Sequence, residues 1–312
     1  MQSTEKCYIG VDVAKETLEF SGKNLRLSCA NKAPQVRQAL QKLRQQAQGQ
    51  TLWLACEATG VYHRCLASCA HEAKIPLSVL APLRVKAFAG ACGQLAKTDP
   101  LDAELIRKFA ETYTPDETPY DKQRFDLQEV VNARRQLVKT RAALRQNLQT
   151  ATTAVVIKAL RLQCNALDRQ IKMLEDEIRS LLREKAKTDP RVEALAAEYS
   201  VGLVLLATLF AYFDEIGTLG RKRAASLSGT APHPRDSGAF HGKRFIRGGR
   251  AVVRQALYVS STALLLKGSP LRPVYDALRA RGLTHRAAQC ALVRRFIVHL
   301  DTVARNALKK HS

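Results

Sequence analysis

Acidic residues are scarce in this sequence. The chain of 312 residues has 28 Asp and Glu against 50 Lys and Arg, which leaves a formal net charge of +22. An excess of one sign this large opposes compaction, and a polyanionic partner is the simplest reason to keep it. Long hydrophobic runs are also missing, since no segment approaches the ~20 apolar residues of a membrane-spanning helix. We therefore expect a protein that binds nucleic acid and has no membrane partner.

The sequence has neither a signal-peptide pattern nor a disulfide pattern. Its first eight residues are polar and lead directly into a predicted strand, so we expect a cytoplasmic protein. The eight cysteines stand on apolar faces, which is typical of reduced core thiols. His63, Cys65, Cys69 and His71 have the residue types of a zinc site, but their spacing spreads them around a helix. We therefore do not predict zinc.

Glycine and proline are absent between Pro119 and Pro190, which predicts long helices over residues 120–188. The second half of this region has a coiled-coil heptad at Leu160, Cys164, Leu167, Ile171, Leu174, Ile178 and Leu181. The polar run at residues 149–153 is the predicted point of chain reversal. Periodicity does not identify the partner helix, so an antiparallel hairpin within one chain and a seam between two chains both stay open.

Residues 1–119 read as an α/β domain. Strands are predicted at 7–13, 17–20, 25–29, 51–56 and 77–80, and helices at 36–43, 61–73 and from Asp99. Three meander strands thus precede the alternation of helix and strand. This order is typical of ribonuclease-H-like (RuvC-like) domains and differs from the strict alternation of a dinucleotide-binding fold.

Residues 189–312 read as an α-helical domain. Helices are predicted at 199–213, 222–227, 251–266 and 285–308. Between the second and third of them lies one long loop, residues 228–249, that is rich in Gly, Pro, His and Arg.

Carboxylates occur at two strand ends and at one helix start. Asp12 ends the first predicted strand and Glu57 ends the fourth, so parallel neighbouring strands would bring both to one edge of the sheet. Asp99 and Asp102 are three residues apart and share one face of a helix. Ionised acids at such an edge need a partner, and a divalent metal is the natural one. Phosphodiester chemistry uses such clusters to hold two Mg²⁺ ions ~4 Å apart.

Helix capping is the alternative explanation for the second acidic pair. Asp99 would be the N-cap, Pro100 the first helical residue, and Asp102 a favourable charge for the helix dipole. Asp189 and Pro190 repeat this start, but no acid follows three residues after Asp189. Capping therefore explains Asp99 and only part of Asp102, and the strand-end acids carry the metal prediction.

The segment from residue 235 to 250 holds five cations, one acid and four glycines. Glycine allows the backbone to approach phosphate closely, and Phe240 and Phe245 can stack on bases or brace the loop. A solvated surface loop is the alternative, and it would explain the charges but not the aromatic residues between them. We predict nucleic-acid contacts from Arg235, Lys243, Arg244, Arg247, Arg250 and the following Arg254. Taken by itself, Ser237 beside glycine reads as a turn residue.

Several motifs together resemble the DEDD transposases, which are insertion-sequence enzymes related to the Piv DNA invertase. They are residues 9–15 (IGVDVAK), 57–60 (EATG) and 97–103 (KTDPLDA). The C-terminal half agrees through SVG at 200–202, LSGTAP at 227–232 and DSG at 236–238. The resemblance covers nearly the whole chain, and the order and spacing of these short motifs make it specific.

The resemblance implies a RuvC-like domain that holds Mg²⁺ or Mn²⁺ on Asp12, Glu57, Asp99 and Asp102. It also implies a coiled coil that forms a dimer or tetramer, and a C-terminal domain in which Ser237 attacks a DNA phosphate and forms a phosphoserine link. Metal site and serine would come from different protomers. A structured RNA from the element would pair with donor and target DNA, and the protein would act at the bacterial nucleoid.

The sequence departs from the family pattern in two places. After Ser237 it reads GAFHG where a second serine or a more basic run is expected, so Ser228 stays an alternative nucleophile. A glycine pair before the apolar helix is reduced to Gly202. Two other functions also fit the residues: a RuvC-like nuclease or junction resolvase that cuts with water, and a non-enzymatic nucleic-acid-binding module whose acids only cap and solvate.

Overall fold

The computed structural model describes residues 6–47, 49–58, 60–93, 99–233, 236–237, 240–241 and 245–311, without the side chains of 99–101, 236–237 and 240–241. The chain divides into two compact units, residues 1–122 and 123–312. The finer division into domains 1–119, 120–188 and 189–312 stays a prediction. No helix within the described ranges is both long and apolar enough to cross a membrane.

The first unit is built on a five-stranded sheet in the order β3-β2-β1-β4-β5. Its strands are β1 (Lys6–Val13), β2 (Thr17–Ser21), β3 (Arg26–Ala30), β4 (Thr51–Glu57) and β5 (Leu77–Leu80). Strand β2 pairs antiparallel with β1 and with β3, whereas β4 pairs parallel with β1 and with β5. The predicted meander followed by alternation is therefore confirmed. Residues 54–56 of β4 are fully buried, which is typical of a strand covered on both faces.

Four helices accompany the sheet: α1 (Ala33–Gln46), α2 (His63–Glu72), α3 (Pro82–Ala91) and α4 (Asp99–Tyr113). The sequence did not predict α3. Only Val85 of this helix is buried, so its sequence has no apolar stripe from which a helical period could be recognised.

Gly10 in β1 is the point at which α4 approaches the sheet most closely. A Cβ atom on Gly10 would lie 2.0 Å from the carbonyl oxygen of Ala103 and 2.4 Å from the backbone nitrogen of Arg107. No side chain fits at these distances, so glycine is required here by space and not by backbone conformation. The missing side chain allows α4 to pack its buried residues Ile106 and Phe109 onto the sheet.

The second unit begins with two long antiparallel helices, α5 (Lys122–Thr150) and α6 (Ala154–Ala186). The chain reverses at the predicted polar run. Ion pairs connect the two helices, with Arg134 on Glu175 at 2.6 Å and Arg141 on Asp168. The two helices therefore pair within one chain, and a coiled-coil supercoil stays a prediction.

The remaining helices are α7 (Arg191–Ala196), α8 (Leu203–Tyr212), α9 (Gly220–Leu227), α10 (Ala251–Leu264), α11 (Arg272–Ala280) and α12 (His285–Lys310). The long helix α12 supplies Phe296, Ile297 and Leu300 to the core of this unit. The predicted helix start at residue 199 is wrong, because Ser200 has a φ of +70° and donates a hydrogen bond to the carbonyl of Ser260. The sequence did not predict α7 and α11, which are short.

The predicted long loop forms two short antiparallel ladders. One joins β6 (Pro232–His233) to β9 (Phe245–Ile246), and the other joins β7 (Asp236–Ser237) to β8 (Phe240–His241). We call the segment from β6 to β9 the basic hairpin. Strands of two residues are too short to show a period of two in the sequence, which is why the sequence predicted only a loop.

Substitution of Gly10 by alanine should destabilise the first unit, because the new Cβ would overlap the backbone of α4. Overpacking of this kind costs about 1–3 kcal/mol or more. The free energy of unfolding, measured by urea denaturation, should fall accordingly. Gly90→Ala in α3 is the matched control, since its Cβ would meet nothing within 4 Å and alanine favours the helix by about 1 kcal/mol. Equal effects of the two substitutions would contradict this account.

Candidate active site and nucleic-acid interface

Asp12 and Glu57 lie side by side at one edge of the sheet. The parallel register pairs Val11 with Cys56, so the next residue on each strand is one of the two acids. Neighbouring strands are about 4.8 Å apart, and both acids are half-buried. Burial of the apolar residues that precede them in each strand fixes this register, because a slip by one residue would turn the acids to the other face.

Helix α4 covers the face of the sheet on which both acids lie. Gly10 faces α4 directly, and side chains two residues apart in a strand share a face, so Asp12 lies on the α4 side. Ala55 is buried against α4, which puts Glu57 on that side as well. Asp102 belongs to the first turn of α4, one residue before the contact of Ala103 with Gly10.

The acids Glu57 and Asp102 have no hydrogen bond or ion pair with any residue that the structure describes, although both are half-buried. Within the same part of the chain, no three His, Cys, Asp or Glu side chains converge closely enough to hold a metal ion. The side chain of Asp99 lies outside the described part. Carboxylate oxygens nevertheless match the preference of Mg²⁺ for hard oxygen ligands.

Asp189, at the second Asp-Pro helix start, has a structural role. Its carboxylate accepts a hydrogen bond from the backbone N–H of Arg191 at 3.1 Å and pairs with the guanidinium of the same residue at 2.6 Å. Burial opposes the charge of Asp189, but these hydrogen bonds hold its pKa below the ordinary value. Asp189 is not the N-cap of α7, a place that Pro190 takes, but its carboxylate is paired within the chain, whereas Asp102 has no such partner among the described residues.

The four His and Cys residues of α2 and its N-terminal end serve packing. The Cys69 thiol donates a hydrogen bond to the carbonyl of Ala33 at 3.8 Å, and His71 stacks on Tyr120 with ring centroids 4.6 Å apart. Burial raises the pKa of Cys69 to about 11, so this thiol is neutral at pH 7, whereas zinc binds thiolate.

Ser237 lies in β7, and its backbone pairs with Phe240 in β8. The predicted contacts Arg235, Lys243 and Arg244 lie outside the described residues, as does the side chain of Ser237. Arg247 is exposed and lies over the ring of Phe245, 5.7 Å from its centroid.

Two of the predicted nucleic-acid contacts have partners within the chain. Arg250 forms a bidentate ion pair with Glu215, with nitrogen–oxygen distances of 2.6 and 2.5 Å. Arg254 donates a hydrogen bond to the carbonyl of Gly248 at 2.8 Å. Both arginines therefore hold the base of the basic hairpin. Sequence reasoning missed Glu215, whose only signal was its charge in a segment of apolar residues.

Ser228, the alternative nucleophile, is fully buried. Its hydroxyl lies 3.2 Å from the carbonyl of Ala225 and 3.0 Å from the hydroxyl of Thr230. A DNA phosphate has no access to a hydroxyl in this position, so Ser228 does not suit nucleophilic attack.

Two family models match the chain. One, for DEDD transposases of the IS110 type, carries the description "Transposase" and covers residues 9–157. The other, described as "Transposase IS116/IS110/IS902 family", covers residues 192–276. The first match includes all four candidate acids, and the second includes the basic hairpin.

Individual relatives match over different lengths. The chain is 31% identical over 160 residues to the "Insertion element IS110 uncharacterized 43.6 kDa protein" of Streptomyces coelicolor, which is 50% of this chain and 38% of that protein. It is 36% identical over 136 residues to an IS116 protein of Streptomyces clavuligerus, of which 33% is covered. The "Pilin gene-inverting protein" of Moraxella bovis is 27% identical, with 94% of both chains covered. The chain thus spans little more than a third of the first two relatives and nearly all of the third.

The ion pair between Arg250 and Glu215 should stabilise the fold in a pH-dependent manner. Burial opposes the charge of Glu215, but the hydrogen bonds and charge of Arg250 hold its pKa below the ordinary 4.5. A depressed pKa contributes stability above the unfolded pKa that is lost as the pH falls through the folded pKa. We expect Glu215→Gln to lower the free energy of unfolding by about 1 kcal/mol at pH 7 and by much less at pH 3.

Chemical denaturation at both pH values measures this difference. The exposed Glu177, whose side chain has no hydrogen bond or ion pair with any residue that the structure describes outside its own helix, provides the control substitution Glu177→Gln. A loss for Glu215→Gln that is the same at both pH values would refute the ionic account of the pair.

Proposed function

The chain belongs to the IS110-type family of DEDD transposases, and from this membership we propose that it is a DNA transposase or recombinase that cuts and rejoins the DNA of an insertion sequence. One observation carries the proposal beyond the family name. Asp12 near the end of β1 and Glu57 at the end of β4 lie on neighbouring parallel strands, on the face where α4 begins with Asp99 and contributes Asp102. A RuvC-like site would also take its acids from strand ends and a helix on one face of the sheet, and this likeness supports the proposal.

We assign Asp12, Glu57, Asp99 and Asp102 to divalent metal, with Mg²⁺ or Mn²⁺ as the ion. When bound, the metal would stabilise the attacking and leaving oxygens of a phosphodiester. The half-buried carboxylates of Glu57 and Asp102 support this assignment, because acids without a partner at a sheet edge are costly unless a cation compensates them.

Ser237 is the proposed nucleophile. Its Oγ would form a bond to the DNA phosphorus while the bond from phosphorus to one deoxyribose oxygen breaks. The serine gives up its proton, and the departing oxygen takes one up. Transfer of the phosphate to the oxygen of another strand reverses these changes, releases the serine and rejoins the DNA. Ser237 lies in a short ladder, and Arg235, Lys243 and Arg244 are close to it in the sequence, which supports this role.

The wider assembly is proposed on the same grounds. A structured RNA would guide the protein to donor and target DNA at the bacterial nucleoid, and the charge of +22 suits a protein that binds two nucleic acids. The acids of one protomer would act with the serine of another. Val155, Leu162 and Met173 support an oligomer, because they share one stripe of α6 and are 61–70% exposed.

Removal of a strand-end acid should abolish metal-dependent cleavage of DNA. We expect Asp12→Asn and Glu57→Gln each to reduce the cleavage rate at least a hundredfold, since each removes one carboxylate ligand. Cleavage of end-labelled element DNA in Mg²⁺ measures the rate. Glu117→Gln, an exposed acid of the same unit, should keep the wild-type rate. Unimpaired cleavage by Asp12→Asn would favour the non-enzymatic module.

Ser237→Ala should abolish covalent protein–DNA adducts and leave nucleic-acid binding intact. Denaturing gels of the reaction with labelled DNA report the adducts directly. Ser228→Ala removes a buried hydroxyl elsewhere in the same unit and should leave the adducts unchanged. Adducts that persist in Ser237→Ala would reject this nucleophile, and free ends without any adduct in the wild type would favour a water-using nuclease.

Negative charge on the exposed stripe of α6 should dissociate the oligomer. Leu162→Glu combined with Met173→Glu places two like charges in the proposed seam, and sedimentation velocity should then show the monomer. Leu83→Glu is the control, because Leu83 is 77% exposed on a helix of the other unit. An unchanged sedimentation coefficient in the double variant would exclude α6 as the seam.

A further inference from the structure

A groove of about 1140 Å³ lies between the base of the basic hairpin and helix α12. One wall consists of Pro232 in β6 with Phe245 and Ile246 in β9. Residues of α12 that recur at helical spacing, from Arg286 to Val298, form the other side. The groove exceeds the ~300–1,000 Å³ of sites for small molecules, so its size suits part of a polymer.

Four arginines line this groove: Arg221, Arg286, Arg294 and Arg295. No hydrogen bond or ion pair connects any of them to another described residue, and the described part of the lining includes no Asp or Glu. Elsewhere in this unit, arginines such as Arg191 and Arg250 are paired with carboxylates. Positive charges that lie close together, with no carboxylate of the described chain to balance them, favour the binding of an anionic ligand.

The floor of the groove is apolar. Ala291 and Val298 of α12, Leu278 of α11 and Ile246 of β9 are half-buried there, and the ring of Phe245 is 41% exposed at the wall. The bases of a duplex are stacked and paired, so they offer no flat face to such a floor. Unpaired bases do, because stacking on aromatic side chains is tolerant of sequence.

We propose that this groove binds a single strand of DNA, with its phosphates on the four arginines and its bases against Phe245 and the apolar floor. We assign the strand to DNA rather than RNA because the proposed recombinase reaction acts on DNA strands.

This inference rests on the proposed recombinase function for its biological use. Strands β6 and β9, which form the wall of the groove, are the strands that lead to and from the ladder with Ser237. A strand of DNA freed from its complement at the cleavage site would therefore find a binding site beside the hairpin that carries the nucleophile.

Fluorescence anisotropy with a labelled 20-nucleotide oligo-dT tests the proposal. EDTA in the buffer removes metal, so binding is measured without cleavage. We expect Arg286→Ala/Arg295→Ala to bind on the order of tenfold more weakly and to lower the salt dependence by about 1.4, since each phosphate contact on a single strand contributes about 0.7. Ala287→Glu, which adds a like charge to the anion in the groove, should weaken binding as well.

Lys172→Ala/Arg183→Ala is the matched control. It removes two exposed positive charges from α6, in the same unit but away from the groove, and should change the affinity less than twofold. Equal losses in the two double variants would overturn the proposal in favour of diffuse charge. Circular dichroism confirms that each variant is folded.

Two further ligands decide the class of nucleic acid. Oligo-rU of the same length should bind more weakly than oligo-dT, and tighter binding of oligo-rU would overturn the assignment to DNA. A 20-base-pair duplex should lose little affinity in Arg286→Ala/Arg295→Ala, and a tenfold loss there would overturn the single-strand assignment. Failure of the recombinase proposal has a different signature, because cleavage and adducts would be absent while oligo-dT binding kept its dependence on the groove.

Discussion

The close approach of α4 to β1 at Gly10 is the constraint on which the candidate active site depends. Because the helix backbone occupies the space of a side chain, α4 lies directly on the two strands whose last residues include Asp12 and Glu57, at the same end of the sheet. Its first turn then brings Asp102 to the same face of the sheet. A larger residue at position 10 would move the helix away from the sheet. The acids of the helix would then lie farther from those of the strands, although the sequence positions of all the acids would be unchanged.

The two Asp-Pro helix starts show how identical local sequence acquires different roles. At Asp189, just before α7, the carboxylate accepts hydrogen bonds from the backbone and the guanidinium of Arg191, so its charge is paired within the chain. At the start of α4 the acid three residues later, Asp102, has no such arginine among the described residues. Helix capping depends on a few residues that are neighbours in the sequence, whereas a metal site depends on which acids the sheet and its helix bring together from distant parts of the sequence. Tertiary structure therefore separates the two cases.

The order of strands and helices along residues 1–119 and the reversal between α5 and α6 could be predicted, because the first follows from apolar periodicity and the second from a polar run between two breaker-free segments. Helix α3 and the strands of the basic hairpin could not, since one has a single buried residue and the others are two residues long. Among the site residues, position along the strands predicted Asp12 and Glu57. The partnership of Arg250 with Glu215 depends on a fold that brings together residues 35 apart, and local patterns do not encode it.

Counting charges identifies a polyanion-binding protein but does not locate the binding surface. Arg250 stands in a run of glycine and arginine that is typical of a phosphate-binding loop, yet its guanidinium forms an ion pair with Glu215. Arg286 and Arg295 stand on a helix where charges usually indicate a solvated face, yet they line a groove without a carboxylate. An arginine is available to nucleic acid only if the fold has not already neutralised it. The acids of the chain therefore determine, by their placement, which of its arginines remain available to an anionic ligand.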